Sequence, residues 1–154
     1  MAGPSGRSTI SGRTSRHRAR EAALQILYLW EVGRTEVVQA AETFFGEQWP
    51  GDRPPPENLK GFATDLACQT VMALPAIDKL IAETAEHWRP ERMAVLDRLI
   101  LRLGVGELLQ PKGTPAPVII NEALELARTF SDNDAVRFIN GMLDGVRKRL
   151  TERG

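Results

Sequence analysis

Val118-Ile-Ile-Asn-Glu-Ala-Leu-Glu-Leu-Ala-Arg-Thr-Phe130 carries apolar side chains nearly all the way round a helix, apart from Asn121, Glu122, Glu125 and Arg128. Such a helix is expected in the middle of a bundle. Downstream, Ser131-Asp-Asn-Asp134 offers a capping-box-like start, and Val136, Ile139, Leu143, Val146 and Leu150 follow at alternating spacings of three and four, which predicts a last helix. Upstream, the proline-rich stretch 111–117 separates it from a helix with Leu96, Leu99, Ile100 and Leu103, weakened near its end by Gly104 and Gly106. The Arg89-Pro90 step divides that helix from one bearing Ile77, Leu80, Ile81, Thr84 and Trp88.

Further back, residues 57–74 show Phe62, Leu66, Thr70 and Leu74 at near-helical spacing, ended or kinked by Pro75. A loop with four prolines follows Trp49. Before it, Thr35 reads as the cap of a helix through Val37, Val38, Ala41, Phe44 and Phe45. The first helix starts at Arg16, buries Ala23, Leu27 and Trp30 with Leu24 and Ile26 beside them, and stops at Gly33. No segment alternates in the manner of a hairpin and no internal repeat is evident, so the fold class is all-α, with about seven helices.

The 154 residues are 42% apolar, enough for a full core in one or two compact lobes. The 20 Lys plus Arg balance the 20 Asp plus Glu, which argues against a protein that coats nucleic acid all over. The balance is uneven along the chain. Residues 1–20 hold Arg7, Arg13, Arg16, Arg18 and Arg20 and no acid, a +5 arm on a −5 body. Residues 1–15, rich in Ser, Thr, Gly and Arg, cannot bury apolar surface and are expected to be disordered.

Cys68 is the lone cysteine, so no intrachain disulfide forms, and a reducing cytoplasm is the expected compartment. No apolar run is long enough for a transmembrane helix or a secretory signal; an Arg- and Ser-rich arm superficially matches a transit peptide, but it runs straight into a core-forming helix.

Catalytic inventories come up short. His17 and His87 lie in different halves and neither joins a metal-binding pair, so no metal or other cofactor is expected. Nucleophile-elbow, phosphate-loop and dinucleotide motifs are absent, and Cys68 reads as a buried, inert thiol. An enzyme is not expected.

The positive signal is Arg16-His-Arg-Ala-Arg20, an arginine-rich cluster without an acid. Guanidinium forks suit phosphates, though a solvated basic tail accounts for the same residues. On a helix His17, Glu21, Leu24 and Tyr28 share one face, so Tyr28 can stand below the basic end. Charge for phosphate with a ring for base stacking suits single-stranded RNA; Tyr28 at the rim of a core is the plainer account. If all five arm arginines neutralised phosphates, the log–log salt slope of binding would be about −3.5.

Residues 16–30, 101–108 (Leu-Arg-Leu-Gly-Val-Gly-Glu-Leu), 120–130 and 138–144 (Phe-Ile-Asn-Gly-Met-Leu-Asp) together resemble the transcription antitermination factor NusB family, over about residues 16–150. The resemblance implies two small helical bundles, here 16–88 and 89–150. It implies binding to single-stranded boxA RNA, pairing with the ribosomal small-subunit protein that acts as NusE, and work within the RNA polymerase antitermination complex on ribosomal RNA operons. By the same resemblance Arg16, Arg18 and Arg20 grip RNA, with His17 standing where arginine is common, a departure that weakens binding or makes it pH-sensitive. Tyr28, Phe130 and Asp134 extend that surface, although Phe130 also reads as core packing at a helix end and Asp134 as a charge favoured by a helix N-terminus. Asp97 matches an acidic position facing basic residues of NusE; the plainer account is a solvated pairing with Arg98 or Arg102.

Two rivals remain open: a helical protein-interaction scaffold with an incidental basic tail, and an RNA-targeting module for an RNA methyltransferase acting in trans. The same domain fronts certain RNA methyltransferases, whose catalytic domain is not expected within these 154 residues. A free chain has the option of a homodimer, though no heptad seam specifies one.

Overall fold

The computed structural model describes residues 11–51, 53–110 and 113–153, and these contain seven α-helices and no strand. We number them α1 (Ser11–Gly33), α2 (Val37–Thr43), α3 (Glu57–Met72), α4 (Leu74–Thr84), α5 (Val95–Leu108), α6 (Ala116–Phe130) and α7 (Asn133–Arg153). A π-helical turn, Phe44–Gln48, extends α2, and a 3₁₀ turn, Pro90–Arg92, precedes α5. The all-α expectation holds.

Helix α1 begins five residues before Arg16. Residues 11–15, expected to be disordered, therefore belong to the helix, since adding turns to a nucleated helix costs little where no proline intervenes. Residues 1–10, with Arg7, lie outside the described residues. The chain divides into two compact units between Ala67 and Cys68. That differs from the bounds 16–88 and 89–150 given above for the two bundles. The reason is α4, whose Ile77, Leu80 and Ile81 are buried and which packs against α5 and α7. Pro75 sits in the first turn of α4, where its missing N–H costs nothing, so it starts one helix as much as it ends another.

In the first unit, α1 buries Ala19, Ala22, Ala23, Leu24, Ile26 and Leu27, with α2 and its π turn packed against it. Seven residues make a weak helix. What holds α2 is an aromatic cluster at its end: Phe44, Phe45 and Trp49, with ring centroids 5.1 to 6.2 Å apart in edge-on or tilted pairs.

In the second unit the central helix is α5, not the 118–130 helix. Every residue from Leu99 to Glu107 is buried, and α5 packs against α4, α6 and α7. Helix α6 buries only Ile119, Ala123, Leu126 and Ala127, an ordinary amphipathic stripe, and leaves Val118 exposed. The two glycines of α5 make its burial possible. A Cβ on Gly104 would come within 3.1 Å of Leu143, and one on Gly106 within 3.1 Å of Thr70 and 3.2 Å of Ile77, so the neighbouring side chains occupy the space a methyl group would need. The one guanidinium in that buried run, Arg102, forms a two-bonded pair with Asp78 of α4 at 2.9 and 2.8 Å.

Candidate nucleic-acid interface

The arginine cluster lies on α1, and helical geometry sorts it onto two rings. Arg16 and Arg20 are one turn apart and share a face, whereas Arg18 is turned by about 200° from Arg16. Accordingly Arg16 places its guanidinium carbon 4.0 Å over the Phe62 ring, and Arg20 approaches the same ring at 5.3 Å. Arg18 lies 4.9 Å over Trp49.

Exposure separates their roles. Arg16 is exposed and Arg18 half-buried, but Arg20 is only 4% exposed, so its charge belongs to the packing of the unit more than to its surface. His17 lies 3.2 Å from Glu21 on the same helix face, both half-buried. Tyr28 is 41% exposed, eleven residues beyond His17 on nearly the same face and about 16 Å further along the axis. Leu24, between them in the stripe, is fully buried, so this face rides along the edge of the core.

Phe62, Trp49 and Gly51 carry no motif of their own. Phe62 reads from spacing as a core position, but it is half-buried on α3 and forms a small crevice with Asn58, Leu59, Ser15, Arg16 and Ala19. Gly51 marks where the loop passes over the second seat: a Cβ there would stand 2.5 Å from the Arg18 guanidinium and 2.8 Å from the Trp49 ring. Arg53 anchors this loop by donating to the carbonyl of Gly46 at 3.3 Å.

In the second unit, Phe130 is half-buried at the end of α6. Asp134 is exposed in the first turn of α7 and pairs with Arg137. The cap of that helix is Asp132, whose Oδ1 accepts from the Ala135 N–H at 2.8 Å. Asp97, half-buried in the first turn of α5, accepts a hydrogen bond from the Ser131 hydroxyl, 34 positions away. Of its arginine neighbours, Arg98 donates to the carbonyls of Pro90 and Met93, and Arg102 donates to Asp78. Asp97 therefore ties the start of α5 to the corner that carries Phe130 and Asp134.

Phe138, 41% exposed, lines a groove of about 630 Å³ with Trp88, Met93, His87, Arg89 and Arg92. Trp88 falls beyond the end of α4, in a turn where its Nε1 donates to the Met93 sulfur at 3.2 Å. Cys68 is half-buried instead of fully buried. Among the described residues no group of three or more His, Cys, Asp or Glu could hold a metal ion, and no helix is long and apolar enough to cross a membrane. On α7, the hydrogen bond from Arg147, with Lys148 adding to it, holds the Asp144 carboxyl below its ordinary value.

The same fold occurs in a crystal structure of NusB from T. maritima, with a TM-score of 0.76, 32% identity, and coverage of 86% of this chain and 90% of that one. A crystal structure of the antitermination factors NusB and NusE in complex with dsRNA matches in fold at a TM-score of 0.73 and 24% identity, covering 88% and 97% of the two chains. The architecture is therefore that of the all-helical NusB-like proteins. The NusB family model matches residues 17–148. The transcription antitermination protein NusB of Solibacter usitatus (strain Ellin6076) is 46% identical over 138 residues, 90% of this chain and 92% of that protein. The Koribacter versatilis (strain Ellin345) protein of the same name is 43% identical over 136 residues, 88% and 90% of the two chains. The chain belongs to the NusB family. It is a transcription antitermination protein, and the family is non-enzymatic.

Proposed function

We propose that this protein binds single-stranded boxA-type RNA together with the ribosomal small-subunit protein that acts as NusE, and thereby promotes processive transcription of ribosomal RNA operons in the cytoplasm as part of the polymerase antitermination complex. The observation that carries this reading is the pair of ring-seated guanidiniums on α1, Arg16 exposed over Phe62 and Arg18 half-buried over Trp49, on a helix that also exposes Tyr28. Guanidiniums supply phosphate contacts, and an exposed ring supplies a stacking surface that every base can use. Family membership supports the same reading, and the match in fold to NusB and NusE in complex with dsRNA supports its coarser part, RNA and NusE as partners.

Asp97 is the residue assigned to the basic partner, and the −5 charge of the chain beyond residue 20 suits such a protein. Ser131 donates to one of its carboxylate oxygens, and a carboxylate has acceptor capacity for more than that one donor, which a basic partner can use. Phe130 and Asp134 extend the RNA contacts in this reading.

Fluorescence anisotropy with a boxA RNA and its scrambled version, with and without the NusE-type partner and at two salt concentrations, tests the reading. Preference for boxA that sharpens with the partner and weakens with salt is the expected result. Equal, weak binding of both RNAs under all conditions would overturn it and leave a protein-interaction scaffold.

A further inference from the structure

We propose that Phe62, on α3, is a positioning residue for RNA binding: its ring seats the Arg16 guanidinium and so presents a preordered donor to phosphate. The inference rests on the RNA-binding reading above. Arg16 is the exposed arginine of the described cluster, and a free arginine side chain at a helix surface samples many rotamers, so gripping a phosphate would cost it that freedom. Phe62 removes much of the cost beforehand. Its ring lies 4.0 Å from the Arg16 guanidinium carbon, within the range of a cation–π contact, and a ring takes none of the N–H donors that a phosphate needs.

The seat is built from two sides. Arg20, 4% exposed, approaches the same ring at 5.3 Å, while Asn58 and Leu59, one turn earlier on α3, line a small crevice together with Ser15, Arg16, Ala19 and Phe62 itself. Half-buried, Phe62 walls this crevice without being sealed in the core. Its place on α3, outside the arginine-rich motif, hides the role from any reading of α1 alone.

The experiment compares Phe62→Leu and Phe62→Tyr in the full chain, by anisotropy with the boxA RNA and NusE-type partner across a salt series, with thermal melts of both variants. Leucine keeps an apolar filler but removes the ring; tyrosine keeps the ring. Phe62→Leu is expected to weaken binding about threefold to tenfold, the cost of ordering one long side chain. Its salt slope stays that of the parent protein, because no charge is lost. Phe62→Tyr is expected to bind within about twofold of the parent, the rescue that a cation–π seat predicts. Binding by Phe62→Leu equal to the parent's overturns the proposal, and so does equal weakening by Phe62→Tyr, which would mark a packing role. A parent protein that binds neither boxA nor scrambled RNA overturns the functional reading and this inference with it.

Discussion

Arg16 and Arg20 are one helical turn apart and share a ring, yet their exposures predict opposite consequences of removing them. Arg16→Ala removes an exposed guanidinium. If that group neutralises one phosphate of a single strand, the log–log salt slope shrinks by about 0.7, and the loss in affinity is about fivefold larger at a given salt than at ten times that salt. Arg20→Met removes a charge that is 4% exposed and keeps most of the stem volume. The slope should not move. What falls is stability: a desolvated cation–π contact is worth about 2 kcal/mol, and at about 2 to 4 °C per kcal/mol for a chain of this size the loss of that contact alone lowers the Tm by about 4 to 8 °C. The ceiling for the whole arm falls accordingly, from about −3.5 with five arginines to about −2.8 with four. The assay is anisotropy at five or more salt concentrations, paired with circular-dichroism melts of each variant. If Arg20→Met flattens the salt slope as much as Arg16→Ala does, the assignment by burial is wrong.

Three further outcomes follow from the packing and the ion pairs. Gly104→Ala and Gly106→Ala each destabilise by up to about 2 kcal/mol in urea titrations, the crowding against Leu143, Thr70 and Ile77 less a helix-propensity gain of about 1 kcal/mol, whereas Gly141→Ala on α7, with nothing within 4 Å of its Cβ, stabilises by about 0.5 to 1 kcal/mol. A double-mutant cycle on Asp97→Ala and Ser131→Ala yields a coupling of about 1 kcal/mol in stability, and independence of the two changes would remove Asp97 from the 131–134 corner. The Asp144 carboxyl titrates by NMR with a midpoint below 3.8, and Arg147→Ala moves it back up. Because the folded-state value is depressed, the stabilisation is present above the unfolded value and is lost as pH falls through the folded midpoint.

The sequence by itself determines what is local. Apolar residues recurring at three and four positions specify helices, since each stripe must be buried along one side, and no alternating segment competes with them. Proline and glycine mark the breaks, and the acid-free run of arginines is visible without any structure. The NusB resemblance is equally legible, because it lies in contiguous blocks. Tertiary structure decided what depends on residues far apart in the chain. Residues 118–130 look like the central helix from composition, but α5 holds that place because Gly104 and Gly106 admit Leu143, Thr70 and Ile77, a fact of surface fit that a glycine's helix propensity conceals. The three arginines look equivalent in sequence. They are sorted by Phe62 and Trp49, some 31 to 46 positions downstream, and the sorting buries Arg20 while leaving Arg16 in water. Spacing along a chain encodes which face a side chain takes; what waits on that face is set by packing.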